Sequence, residues 1–169
     1  MAEKDEERFL AVIAAHKRLI YKVANSYCKD DEDRKDLIQE IILQLWRSFS
    51  RYDPQYQLST WIYRIALNVA ISFYRKERRK QDLHQPIPET LIYLKDDTPL
   101  DQTNVRLNYL QRFIRELKEI DRAIILLYLE GSNQQEIGQI LGISTTNVST
   151  KVSRIKQQLQ QKFSKIKTL

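Results

Sequence analysis

Residues Leu58–Lys80 read LSTWIYRIALNVAISFYRKERRK. Ser59 and Thr60 can each cap a helix start. Ile62, Ile65, Ala66, Val69 and Phe73 then recur at helical spacing and form an apolar stripe. Trp61, Arg64, Asn68, Ser72 and Arg75 recur at steps of three and four on another face. That second face offers an aromatic plane, an amide and cations together. The helix runs on into Arg75, Lys76, Arg78, Arg79 and Lys80, five cations against the single acid Glu77. Cations bind phosphate, aromatics stack on bases and amides read base edges. Packing alone needs the stripe but has no use for the other face, so a nucleic-acid partner is expected.

Working outward, long helical periodicities dominate the chain of 169 residues, which holds three glycines and four prolines and is 42% hydrophobic. This composition predicts an all-α protein with a real core. Charge divides it in three. Residues 1–80 carry 16 basic and 12 acidic side chains, residues 81–104 one and five, residues 105–169 eleven and five. The acidic middle also holds Pro86, Pro88 and Pro99 and reads as a linker, giving domains 1–80 and 105–169. Fully extended, it reaches at most ~80 Å, on the order of 20 base pairs. The net charge of +6 favours an acidic partner. Cys28 is the only cysteine and His16 and His84 lie far apart, so neither an internal disulfide nor a histidine–cysteine metal site is expected. MAEKDEER lacks a signal-peptide core, and no apolar run approaches membrane-spanning length, which suits a reducing cytoplasmic compartment.

In the first domain helices are expected near 6–28, 33–49 and 58–80. Phe9, Val12, Ile13, His16, Leu19, Ile20, Val23 and Tyr27 face inward on the first; Leu37, Ile38, Ile41, Leu45, Trp46 and Phe49 do so on the second. Cys28 and His16 read as packing residues. The acids Asp30, Asp31, Glu32, Asp33, Asp36 and Glu40 raise the alternative of a metal-dependent nuclease, but most suit a helix start, and no further ligand motif supports it. In the second domain helices are expected near 104–118, 121–130, 134–141 and 145–164.

Residues Gln134–Lys156 read QQEIGQILGISTTNVSTKVSRIK. Ile137, Ile140 and Leu141 give a short helix an apolar face. Gly138 permits close approach, Gly142 suits a left-handed helix end, and Ser144 or Thr145 can cap the next helix. Val148, Val152, Ile155 and Leu159 form that helix's buried stripe. This is a helix-turn-helix, winged-helix-like in its four-helix layout, whose second helix enters a major groove. Ser144, Thr145, Asn147, Ser149, Thr150, Lys151, Ser153 and Arg154 are its candidate DNA contacts. After Glu136 the chain has six cations and no acid, a bias that an anionic partner would explain.

Together these strings resemble RNA polymerase sigma factors of the extracytoplasmic function group, over roughly Phe9 to Phe163. Asp36-Leu37-Ile38-Gln39-Glu40, followed by Leu45-Trp46-Arg47, is similar to the family helix that docks on core polymerase. The resemblance implies contacts to the β′ clamp helices and β flap, with Asp36, Gln39, Glu40, Leu43 and Arg47 as the core-binding residues. Ser59–Asn68 resembles the stretch that opens and reads the promoter −10 element. It implies that Asn68 lies at the pocket for a flipped-out base and that the 50–58 loop, with Tyr52, Asp53, Gln55, Tyr56 and Gln57, sets specificity. Trp61, Tyr63, Arg64, Ser72, Arg75, Lys76, Arg78 and Arg79 complete that −10 set; Tyr56, Trp61 and Tyr63 could equally be core. The helix-turn-helix resembles the family's −35 reader. Where Ser149 stands the family often has arginine, and where Ser153 stands a bulkier residue, which bears on the −35 sequence read. The linker's counterpart threads the polymerase's RNA exit path, so its acidity is consistent with mimicking RNA.

The resemblance implies a non-enzymatic initiation factor with promoter DNA and core polymerase as partners and no cofactor, metal or small-molecule substrate. It also implies an anti-sigma factor, soluble or anchored so as to hold the chain at the inner membrane face. Two alternatives from other classes remain at this point: a stand-alone helix-turn-helix regulator, and an interaction module that titrates an anti-sigma factor.

Overall fold

A computed structural model describes residues 2–83 and 102–166, all of whose regular structure is helical. The first domain contains α1 (Ala2–Ala15), α2 (Lys17–Tyr27), α3 (Asp31–Ser48), a 3-10 turn (Phe49–Arg51) and α4 (Leu58–Leu83). The second contains α5 (Gln102–Glu116), α6 (Glu119–Leu129), α7 (Gln134–Leu141) and α8 (Thr145–Ser164). No strand occurs among the described residues, so the helix-turn-helix carries no wing hairpin there. Pro86, Pro88, Pro99 and most of the acidic linker lie outside the described residues.

The expected helix over 6–28 is two helices. The interruption falls at His16, whose backbone sits at φ −112° and ψ 16°; its Nδ1 lies 2.9 Å from the Val12 carbonyl oxygen, which also accepts from the His16 backbone N–H at 3.1 Å. A carbonyl only accepts, so Nδ1 carries the hydrogen. Ser59 and Thr60 are not caps. α4 starts earlier, with the Gln57 carbonyl accepting from Trp61 N–H at 3.1 Å, and both hydroxyl residues sit in its first turn. Asp30 holds the N-cap position of α3 without a side-chain capping bond, and Asp31, Glu32 and Asp33 in the first turn suit the helix dipole.

Leu37, Ile41 and Leu45 of α3, Ile20 and Val23 of α2, and Ile62, Ala66, Leu67 and Ala70 of α4 form the buried centre of the first domain. Trp46, expected in the core, is 41% exposed and touches Phe9 only edge-on, ring centroids 5.0 Å apart. In α6 every residue from Asp121 to Leu127 is buried. A helix that is apolar all round must be surrounded. Here α7 and α8 cover one side, and α4 of the first domain packs on another. The two domains thus share one continuous core.

The helix-turn-helix follows from local chemistry. Asn133 and Glu136 make a reciprocal capping box at the start of α7. Gly142 has φ +71° and ends that helix. A Cβ on Gly138 would lie 2.7 Å from the Ile143 carbonyl oxygen, so only glycine lets the turn fold back this closely. The Ser144 hydroxyl accepts from Asn147 N–H at 3.1 Å and starts α8.

Cys28 is buried at the C-terminal end of α2, and desolvation, with nearby Asp33 contributing, pushes its thiol up to about 11. The native thiol should stay protonated and inert to iodoacetamide at pH 8, reacting only after denaturant is added. Because the native state holds this proton longer than the unfolded chain, its linked stabilisation is complete below the unfolded thiol pKa. It is lost as pH rises toward 11. Alkylation followed by mass spectrometry measures both states; rapid native labelling at pH 8 would contradict the placement.

Candidate nucleic-acid and polymerase interfaces

The outer face of α4 keeps the expected alternation. Arg64, Asn68, Ser72, Lys76, Arg78 and Arg79 are exposed, while Ile62, Ala66 and Ala70 face the core. Asn68 therefore projects from a helix locked by packing on its opposite side, which holds an amide in a defined direction. Two expected members of this face are placed differently. Tyr63 is only 9% exposed and belongs to the core, so it is withdrawn from the surface set. Arg75 is exposed, but its Nε donates to Glu119 Oε1 of α6 at 2.8 Å. That bond holds the Glu119 carboxyl below the usual carboxylate range.

The loop before α4 is prefolded. Asp53 Oδ1 accepts from Gln55 N–H at 3.0 Å, so its carboxylate builds the turn. Tyr52 donates its hydroxyl to the Tyr56 carbonyl at 2.6 Å and lays its ring 5.2 Å from that of Trp61. Trp61 is half-buried, with Phe49 on its other flank at 6.3 Å. Tyr56 is left as the outermost ring of the loop at 58% exposure, beside exposed Gln55. The arrangement offers one free aromatic plane, a rigid indole edge and an exposed amide along a basic helix.

On α3, Asp36, Gln39, Leu43 and Arg47 are exposed and Glu40 is half-buried, accepting from Gln44 Nε2 at 3.0 Å. Leu43 is 41% exposed, as is Trp46. The spacing puts all of them on one side of the helix. Two large apolar groups ringed by polar ones is the make-up of a protein-docking surface.

On α8, Thr145, Asn147, Ser149, Thr150, Ser153 and Arg154 are exposed, as is the capping Ser144. Thr146 and Gln157, which the sequence reading passed over, lie exposed on the side opposite Val148, Val152 and Ile155. Helical spacing alone would have found them. Lys151 is half-buried, and the charge bias of α8 has a partly internal explanation. Lys151 and Arg154 both pair with Asp121, Lys162 pairs with Glu116, and the Lys156 ammonium sits 4.5 Å from the Tyr128 ring centre. The acids that balance this helix are on α5 and α6, not on the helix itself.

Arg122 and Asp121 are the charged residues missed in the sequence. Arg122 is 2% exposed. Its Nη1 donates to the Ser26 carbonyl at 2.9 Å, and its Nη2 donates to the carbonyls of Leu117 at 3.1 Å and Arg115. One cation thereby satisfies carbonyls at the ends of α2 and α5. Its guanidinium lies 5.0 Å from the Tyr27 ring centre and 4.8 Å from that of Tyr74. Tyr27 donates its hydroxyl to the Glu119 carbonyl at 2.7 Å, and burial drives its phenol far above the ordinary range. A further ion pair joins Lys22 to Glu130. These contacts clasp the two domains. Beside the clasp an open crevice of about 530 Å³ runs past His16, Thr60 and Tyr63 on one side and Glu130 and Glu136 on the other. Among the described residues no group of three His, Cys, Asp or Glu side chains is placed to hold a metal ion. No helix there is long and apolar enough to cross a membrane.

Residues 12–80 match the sigma-70 region 2 family, and residues 107–159 match the sigma-70 region 4 family. The chain is 29% identical to the RNA polymerase sigma factor SigV of Bacillus subtilis, over 91% of each protein. It is 26% identical to the ECF RNA polymerase sigma factor SigW of the same organism, over 94% of this chain and 90% of that one. Its fold is similar to that of the sigma factor RpoE from Bartonella quintana, solved in complex with the anti-sigma factor NepR. The TM-score is 0.65, with 19% identity over 94% and 96% of the two chains.

Proposed function

This chain belongs to the extracytoplasmic function group of RNA polymerase sigma factors, and from that we propose which of its surfaces does what. It directs promoter-specific transcription initiation with core RNA polymerase. The observation that carries the assignment is the outer face of α4, where Arg64, Asn68 and Ser72 stand exposed in line above a cationic helix end.

Opening a promoter requires binding unstacked bases better than stacked ones. Extruding a base costs a few kcal/mol, and stacking returns about 1–3 kcal/mol per base. Tyr56 and the Trp61 edge supply stacking surface, Asn68 supplies edge hydrogen bonds, and Arg64, Lys76, Arg78 and Arg79 neutralise the backbone. Asp53 and Tyr52 hold the loop. Arg75 joins the DNA-binding set once it leaves Glu119. The outer face of α8, from Thr146 through Thr150 to Ser153, enters the upstream major groove, and the outer face of α3 docks on core polymerase. Phosphodiester chemistry belongs to the polymerase, so the protein itself needs no catalytic residue or cofactor. It acts in the cytoplasm, where that enzyme works. Since RpoE from Bartonella quintana is solved with an anti-sigma factor, an anti-sigma protein that covers the α3 and α4 faces is the expected regulator here.

Run-off transcription on genomic fragments with core polymerase tests the reading: promoter-specific transcripts should appear only when the protein is added. Asn68→Ala should lower transcription from duplex promoters about tenfold or more, equivalent to about 1.4 kcal/mol, and change −10 preference. Core-polymerase binding should be spared, because Asn68 is an exposed residue of α4 and not one of the α3 residues assigned to docking. A mutant with wild-type base preference would sink the pocket assignment.

A further inference from the structure

Asp121 lies outside the helix-turn-helix and nothing in its sequence neighbourhood points to DNA, yet its carboxylate is aimed at the recognition helix. It is 6% exposed. Its Oδ1 lies 3.2 Å from Lys151 Nζ, and its two oxygens lie 3.3 and 3.4 Å from Arg154 Nη2. Lys151 is held closely, with 25% of its side chain exposed, whereas 53% of Arg154 is exposed. We infer that Asp121 is a specificity-determining positioning residue for duplex recognition: it stands in for a phosphate on α8 and withholds one positive charge from DNA.

The physical reason is the burial of the acid. A nearly buried carboxylate left without either cation would be strongly unfavourable, and of the two, Lys151 is the closer and the more enclosed. Lys151 therefore stays with Asp121. Arg154, whose side chain is half in solvent, reaches outward from a direction that the same carboxylate sets. The cluster presents one net charge instead of two. The centre of the exposed face, Thr146, Thr150 and Ser153, is uncharged. Phosphate attraction is independent of sequence, whereas hydroxyls and amides at base edges are not. Cancelling a cation beside such a face lowers affinity for any duplex and leaves a larger share of binding to base readout.

The inference rests on the reading of α8 as the duplex-facing helix, and the test separates the two. The full chain is titrated with a random-sequence duplex of about 30 base pairs across roughly 50–200 mM salt. Asp121→Asn keeps the size and an acceptor oxygen but removes the charge. Its plot of log affinity against log salt should steepen by about 0.9, the value of one phosphate contact, and low-salt affinity should rise several-fold. Arg154→Gln should lower the wild-type slope by about 0.9, because Lys151 stays with the carboxylate, and Lys151→Gln should remove the extra slope in the Asp121→Asn background. A slope for Asp121→Asn equal to wild type, or a wild-type slope unchanged by Arg154→Gln, overturns the inference. The second outcome can be read even where Asp121→Asn folds poorly. Ser153→Asp on the outer face is the control. If it too leaves duplex binding unchanged, the reading of α8 has failed; if it weakens binding while the Asp121→Asn slope stays at wild type, only the role of Asp121 has failed.

Discussion

Leu43→Asp should weaken assembly with core polymerase by about 2–4 kcal/mol, roughly 30- to 1000-fold, the range of an interface hot spot. Leu43 is 41% exposed and stands on the same side of α3 as Trp46, exposed to the same degree. Exposed Asp36, Gln39 and Arg47 surround them. Apolar groups inside a polar rim bind by excluding water, and a carboxylate at the centre must then be desolvated without a partner. The same substitution should leave thermal stability near wild type, because the native side chain already meets solvent. Competition against labelled wild-type protein for core enzyme gives the affinity. Unaltered binding would move the docking surface away from α3.

Arg122→Met should lower stability by about 3–5 kcal/mol, as expected when a buried hydrogen-bond network is broken. For a chain of this size that corresponds to a fall in melting temperature of roughly 10 °C. Methionine fills much of the same space but donates nothing. The carbonyls of Ser26, Arg115 and Leu117 would all lose their donor, and a buried orphan acceptor costs about 1–3 kcal/mol. The rings of Tyr27 and Tyr74 would lose the cation between them. Because Ser26 belongs to the first domain and Arg122 to the second, the substitution should also loosen the clasp, read as a larger radius of gyration in solution scattering. Tyr27→Phe provides the milder comparison. It removes only the hydrogen bond to the Glu119 carbonyl and should cost about 1 kcal/mol. A methionine variant that melts with wild type would show that the guanidinium contributes nothing to the fold.

Much of the fold was legible because helices advertise themselves through local period. The stripes of α3, α4 and α8, the left-handed Gly142 and the close approach at Gly138 are all short-range features. The break at His16 was not legible, since it falls inside an otherwise continuous apolar pattern with no glycine or proline to mark it. Trp46 was misplaced and Tyr63 left open between core and surface for the same reason: an aromatic suits both, and periodicity cannot say how wide the buried arc is. The domain clasp had a visible signal that went unread. Residues 123–127, Ala-Ile-Ile-Leu-Leu, cover every side of a helix, and no four-helix domain this small surrounds one helix completely. Asp121 and Arg122 precede that run, and charges in such a position need partners. Beyond the nearby carbonyls of Arg115 and Leu117, those partners lie on α8 and at the end of α2, 30 or more positions away, so no local pattern could name them. The same distance hid the internal balance of the α8 cations, which in sequence looked like charge left wholly for DNA.

The most direct measurement is permanganate probing of promoter DNA with core polymerase and the purified protein. Permanganate oxidises thymines only when they are unstacked. Around the −10 element, thymines should become reactive when both proteins are present and neither alone, with Asn68→Ala reducing the signal while core binding persists. Thymines that stay unreactive at every start site supporting transcription would contradict strand opening by α4 and the loop before it.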